Sequence, residues 1–151
     1  PTADYMNEIM HSDDSSDIKL VWHAGDVGYA DDAFLHFPCY TNFCYERRFD
    51  EYMDRVQDKW AAIKPYMTTP GNHEADCHDP NCMLHKEKRE ALSNFTAYNS
   101  RFAMPSQESN GSMNMWYSFN YGNVHFVSID TETGFPGAVE ENRYVPSPFR
   151  G

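Results

Sequence analysis

The sequence predicts an α/β fold that starts from a βαβ unit, and three observations carry that prediction. Ile18 to Ala24, IKLVWHA, is a short apolar run ending at Gly25-Asp26. Tyr45 to Ile63 has apolar residues at helical spacing, and Pro65 to Thr69, PYMTT, is a second short run ending at Pro70-Gly71-Asn72-His73. A helical crossover between two strands makes them parallel neighbours with a right-handed connection.

The elements follow in order. Tyr5, Met6 and Ile9 lie at helical spacing and predict a short helix feeding the first strand. Ile18 to Ala24 follows the polar stretch SDDSSD and reads as a buried strand that opens into a loop. In the crossover helix Tyr45, Phe49, Tyr52, Met53, Val56, Trp60 and Ile63 form the apolar stripe, and Pro65 stops it. Leu92, Phe95, Tyr98 and Phe102 mark a second helix that ends near Met104-Pro105. Met115 to Asn120 and Val124 to Ile129 are β-rich runs joined at Tyr121-Gly122-Asn123, a hairpin signal. After Glu132 the chain is rich in Gly and Pro and reads as loop, and no internal repeat is visible.

Composition narrows the function. The 151 residues carry 12 Lys+Arg against 23 Asp+Glu, a formal net charge of −11. That balance excludes a nucleic-acid binder, which needs clustered cations to displace counterions, and it argues against docking on an anionic membrane. No stretch approaches the roughly 18 apolar residues of a membrane span. Hydrophobic residues at 40% and aromatics at 15% suffice for a core. The first residues, PTADYMNEIM, lack the charged start and apolar run of a signal peptide.

The cysteines form two local pairs, Cys39/Cys44 and Cys77/Cys82, with three connectivities open. The sequons at Asn94 and Asn110 make both candidates for glycosylation, and with the even cysteine count they point to a secreted, extracellular polypeptide. The rival for the second pair is a zinc knuckle of Cys77, His78, Cys82 and His85.

The βαβ order brings GDVGYADD and PGNHE, whose Asp26 and Asn72 are 46 positions apart, to one sheet edge. Open α/β sheets bind ligands at the C-terminal ends of their strands. Asp26 is a short carboxylate able to share its oxygens between two cations roughly 3.5–4 Å apart. Tyr29, one turn of loop later, can return its phenol to the same cation, and phenolate suits a hard trivalent ion. Asn72 offers a neutral oxygen to a divalent ion. His73 faces differently, better placed to contact substrate or protonate a leaving oxygen than to ligate. His11, His36, His78 and His85 lie in polar segments and read as solvated, while His23 reads as a packed core histidine or a site neighbour.

GDVGYADD and GNHE resemble the second and third metal-binding blocks of purple acid phosphatases, within the calcineurin-like metallophosphoesterases. WYSFNYGNVHFVSIDTE is similar to the hairpin that follows in plant and fungal members, so the resemblance covers residues 18 to 132. It implies a β-sandwich flanked by helices, with Asp26 bridging the metals, Tyr29 on Fe(III), Asn72 on a divalent Zn, Fe or Mn, and His73 on phosphate. Asp31 and Glu74 would orient these ligands. The implied function is hydrolysis of phosphate monoesters at acidic pH, with a metal-bound hydroxide as nucleophile. The alternatives are a related enzyme acting on phosphodiesters or cyclic nucleotides, and a non-catalytic fragment of the same fold.

The family's first block, Asp-x-Gly, has no separate counterpart here, and Val-x-x-His and Gly-His-x-His do not occur. Residues 1–151 are therefore expected to be the central part of a catalytic domain. The rest of the polypeptide would be a second chain that supplies the missing ligands, and the substrate is a phosphate ester.

Overall fold

The fold is described by a computed structural model over residues 2–12 and 17–132. Strands β1 (Val21–Ala24) and β2 (Tyr66–Thr69) pair in parallel, Val21 opposite Tyr66 and Ala24 opposite Thr69. The first strand is shorter than the sequence suggested. Val21 N–H donates to the Pro65 carbonyl at 2.9 Å, and Pro65, which has no N–H, cannot extend the ladder toward Ile18.

The short helix before β1 is α1 (Thr2–Met10). The crossover helix is α2 (Tyr45–Val56), continued by a wider π-type turn at Gln57–Ala61. Most of its stripe is buried as the spacing predicted, with Tyr45, Phe49 and Val56 inside, Trp60 on the following turn and Tyr52 and Met53 half-buried. Ile63, however, lies beyond the last turn and is exposed. After β2 come the one-turn α3 (Asn72–Ala75) and two further helices, α4 (Pro80–Leu84) and α5 (Lys86–Leu92). Asp79 caps α4, its carboxylate accepting the Asn81 N–H at 2.7 Å.

The single helix expected over Leu92 to Phe102 is not formed. The chain breaks after α5 and resumes as α6 (Thr96–Arg101), with Asn94 at φ 57 and Phe95 at φ 58 between them. The break lets the Asn94 N–H reach back to the Ala75 carbonyl at 2.8 Å, tying this segment to α3, and it sinks Phe95 into the core.

The hairpin is present as β3 (Trp116–Tyr121) and β4 (Val124–Ile129), antiparallel, with Tyr121 opposite Val124. Gly122 opens the two-residue turn at φ 58, a conformation glycine adopts without a Cβ penalty. The hairpin packs on the first sheet. Tyr117 donates to the Thr68 carbonyl at 2.7 Å, Thr69 and Ser128 hydroxyls lie 2.6 Å apart, and Phe126 meets Trp22 edge-on at 5.5 Å. Fully buried Tyr98 donates to the same Thr68 carbonyl at 3.0 Å. Thr68 is thus the point at which sheet, hairpin and α6 meet.

The α/β class is observed, with four strands in two two-stranded sheets among the described residues. Two disulfides, Cys39–Cys44 and Cys77–Cys82, select one of the three connectivities and remove the zinc-knuckle alternative, because Cys77 and Cys82 bond each other. The loop expected after Glu132 lies outside the described residues. No described helix is long and apolar enough to cross a membrane.

Candidate metal centre

Parallel pairing carries both polar motifs to one edge. Beyond the ladder, Gly25 N–H donates to the Thr69 carbonyl at 2.8 Å, so the two loops leave the sheet side by side. They then touch. A Cβ on Gly71 would sit 2.3 Å from Asp26 Oδ1, so only glycine allows this approach.

Glu74 holds the two loops together. Its Oε1 accepts the Val27 N–H at 2.7 Å and its Oε2 accepts the Gly71 N–H at 2.8 Å. The carboxyl is buried, and burial pushes its pKa up to about 7 against the pull of those two N–H donors. The first loop is bent tightly, with Asp26 at φ 51 and Tyr29 at φ 46, both in the left-handed region that side chains seldom occupy.

That bend returns the Tyr29 hydroxyl to Asp26 Oδ2 at 2.8 Å, the one-turn return expected from the spacing. The bond to Asp26 raises the phenol's pKa, since the carboxylate holds its proton. Asn72 stands exposed at the start of α3 on the facing loop. His73, next to it, has its ring 4.7 Å from that of Tyr29, and its Nδ1 lies 2.9 Å from both oxygens of Asp31. Burial pulls the His73 pKa down, but the bond to Asp31 and the charges of Asp31, Asp26 and Asp32 outweigh it, so the net shift is upward. Asp31 is 1% exposed, a buried anchor rather than a surface acid.

Sequence reasoning missed His78. Its backbone N–H and its Nδ1 both approach Asp31 Oδ2, at 2.9 and 3.1 Å, and its ring meets that of His73 at 4.8 Å. The signal was a constant offset. Val27 meets Glu74, Asp26 meets the His73 N–H, and Asp31 meets His78, each pair 47 positions apart. The other histidines stand apart from this cluster. His23, in β1, packs with Nδ1 at 3.0 Å from the Tyr52 hydroxyl and 2.8 Å from that of Tyr66, and burial lowers its pKa. His125 is exposed and bonds Asn120 at 2.7 Å.

Two clefts flank the site. One of about 670 Å³ runs from Tyr29 along α2 past Arg48, Tyr52 and Arg55, and one of about 460 Å³ lies between Asn72, His78 and Arg89. The sequons differ in setting: Asn110 is in an exposed turn, whereas Asn94 is half-buried at the α5–α6 break.

The chain resembles known proteins over most of its length. It is 38% identical over 152 residues to acid phosphatase A of Cryphonectria parasitica, covering 84% of this chain and 29% of that protein. It is 38% identical over 120 residues to an acid phosphatase of Aspergillus ficuum, covering 65% of the chain and 19% of the relative. With purple acid phosphatase 15 of Arabidopsis thaliana the identity is 29% over 155 residues, 95% of the chain and 26% of the relative. The chain thus spans less than a third of the length of each of these relatives. The pattern of the calcineurin-like phosphoesterases matches residues 2–148, a span that includes both converging loops, their glycine contact and the hairpin behind them. The chain belongs to the calcineurin-like phosphoesterase family.

Proposed function

We propose that residues 1–151 are the central part of a catalytic domain that hydrolyses phosphate monoesters at acidic pH, using Fe(III) with a divalent Zn, Fe or Mn ion. The observation that carries this reading is the Asp26–Tyr29 pair, hydrogen-bonded at 2.8 Å, facing the Asn72–His73 loop across the Gly71 contact. The donor chemistry fits the ions. A phenol and a carboxylate this close favour a shared hard cation, which would replace the phenol's proton, and Asn72 adds an exposed neutral oxygen for the divalent ion. Asp26 would hold both ions, Tyr29 the Fe(III) and Asn72 the divalent ion. Three donors fall short of the four to six that each ion needs. The remainder would come from the rest of the polypeptide, in keeping with relatives more than three times as long.

When bound, the two ions supply positive charge to the phosphoryl oxygens and lower the pKa of a water molecule to be used as nucleophile. The chain's residues then do the positioning. Glu74 fixes the spacing of the two loops, and Asp31 fixes the His73 ring through Nδ1. His73 Nε2 is left to donate to the phosphoryl group or the leaving oxygen, and its raised pKa keeps it protonated in acid. Acid phosphatase relatives, the two disulfides and the exposed sequon at Asn110 together support a secreted glycoprotein.

The test is elemental analysis of the intact polypeptide combined with hydrolysis of paired mono- and diester substrates at pH 5. One iron and one divalent ion with faster monoester turnover is expected. Metal-free protein, or a preference for the diester, would overturn the reading. Native and denaturing mass spectrometry should reveal the companion chain, and its absence would remove the fragment hypothesis.

A further inference from the structure

We propose that Asp31, His73 and His78 form a binding site for a third cation, a zinc-like dication, beside the Asp26, Tyr29 and Asn72 set and distinct from it. The three donors come from three segments: the 3-10 turn Ala30–Leu35, α3 and the Cys77–Cys82 loop. Their ligand atoms nevertheless form a tight triangle. Asp31 Oδ2 lies 2.9 Å from His73 Nδ1 and 3.1 Å from His78 Nδ1, and the two nitrogens are 3.4 Å apart. A tetrahedral ion with bonds of 2.0–2.1 Å separates its ligand atoms by about 3.3 Å. The triangle therefore already has nearly the dimensions of one face of such a coordination sphere.

Burial and chemistry agree with this. The Asp31 side chain is 1% exposed, that of His73 17% and that of His78 46%, so the cluster is closed behind and open in front. Three protein ligands with an open fourth position are the arrangement of an exchangeable zinc site rather than a sealed structural one. Two imidazoles and one carboxylate suit zinc and its late first-row neighbours, and they do not suit Ca²⁺ or Mg²⁺. As a hydrogen-bonded trio alone, the cluster aims two ring nitrogens at one carboxylate that already accepts the His78 backbone N–H at 2.9 Å. A cation between the rings turns that crowding into coordination. It would replace the Nδ1 proton that Asp31 otherwise accepts, releasing it to solvent, and leave the proton on Nε2, so the outer nitrogen of the substrate histidine stays uncovered. The existence of the site does not depend on the phosphatase reading; its effect on turnover does.

The experiment titrates zinc into the intact polypeptide carrying its resident metals, with equilibrium dialysis and elemental analysis as readout. The wild type is expected to take up one further ion. His78→Ala keeps the backbone N–H that holds Asp31, and it should weaken that ion by at least the roughly 10–100-fold that losing a mere outer-shell partner costs. Should the alanine variant not fold, His78→Asp, which keeps a ligand, is expected to retain the ion, and His78→Leu to lose it. No further ion in the wild type, or equal affinity in the ligand and non-ligand variants, overturns the proposal. Hydrolysis without a third ion refutes this site and leaves the phosphatase reading standing. A His78-dependent ion without hydrolysis does the reverse.

Discussion

Gly71→Ala isolates the contact on which convergence of the two loops depends. Gly71 has extended backbone, φ −118 and ψ −170, so alanine meets no conformational penalty there. Its Cβ would instead lie 2.3 Å from Asp26 Oδ1 and 2.5 Å from the Asp26 backbone nitrogen, where ordinary contact begins at 3.4 Å. A side-chain oxygen can rotate away, but a backbone nitrogen cannot, so the loops must part by about an ångström. Such a shift stretches both Glu74 bonds, now 2.7 and 2.8 Å, beyond good hydrogen-bond range. Overpacking costs about 1–3 kcal/mol. Two weakened bonds to a buried acceptor bring the expected loss to about 2–6 kcal/mol. Gly25→Ala is the control. There φ is +73 and the nearest atom to a new Cβ is 3.5 Å away, so the cost is conformational, about 1–2 kcal/mol. Urea denaturation of both variants, with iron content measured alongside, decides the matter. A Gly71→Ala protein within about 1 kcal/mol of wild type and with unchanged iron would refute the close-contact account, as would a costlier Gly25→Ala.

Three further outcomes are expected. Tyr29→Phe removes an exposed hydroxyl, so stability should shift by less than about 1 kcal/mol while the iron-loaded protein loses its visible charge-transfer band; unchanged absorbance refutes the tyrosinate assignment. Tyr98→Phe takes the partner of the buried Thr68 hydroxyl and one of the two donors to its carbonyl, and should cost about 1–2 kcal/mol by chemical denaturation; a neutral result refutes a stabilising role for that pair. Burial pushes the Asp130 carboxyl up to about 6, above its unfolded value near 4, so the stability present in acid is lost as pH rises between these values. Asp130→Asn should flatten that slope, worth of order 2–3 kcal/mol, and identical pH profiles of wild type and variant would contradict it.

What the sequence made legible follows from local physics. The stripe of α2, the stop at Pro65 and the Gly-Asn turn are each set by residues within a few positions of one another, and all three are observed. The crossover then brings Asp26 and Asn72 to one edge without further information. What stayed hidden depends on contacts across the chain. The α5–α6 break exists because Asn94 answers a carbonyl on α3, which no 3.6-residue period encodes. His78 looked solvated because its own neighbours are polar, whereas its partner Asp31 lies on the other loop. The register of β1 and β2 has an offset of 45 whereas the loop pairs are offset by 47, so extending the register from Asp31 falls two residues short, on Asp76.

Each disulfide joins cysteines only five positions apart. Closing so short a loop restrains the unfolded chain little, roughly 2 kcal/mol on the chain-entropy account. The core around Phe49 and Tyr98 would outlast its loss. Cys77 and Cys82, however, bracket His78, and Cys82 belongs to α4, so reducing that bond would slacken one imidazole together with that short helix. Thiol–disulfide balance in the surroundings would then act on the site as a dial, separately from its effect on folding.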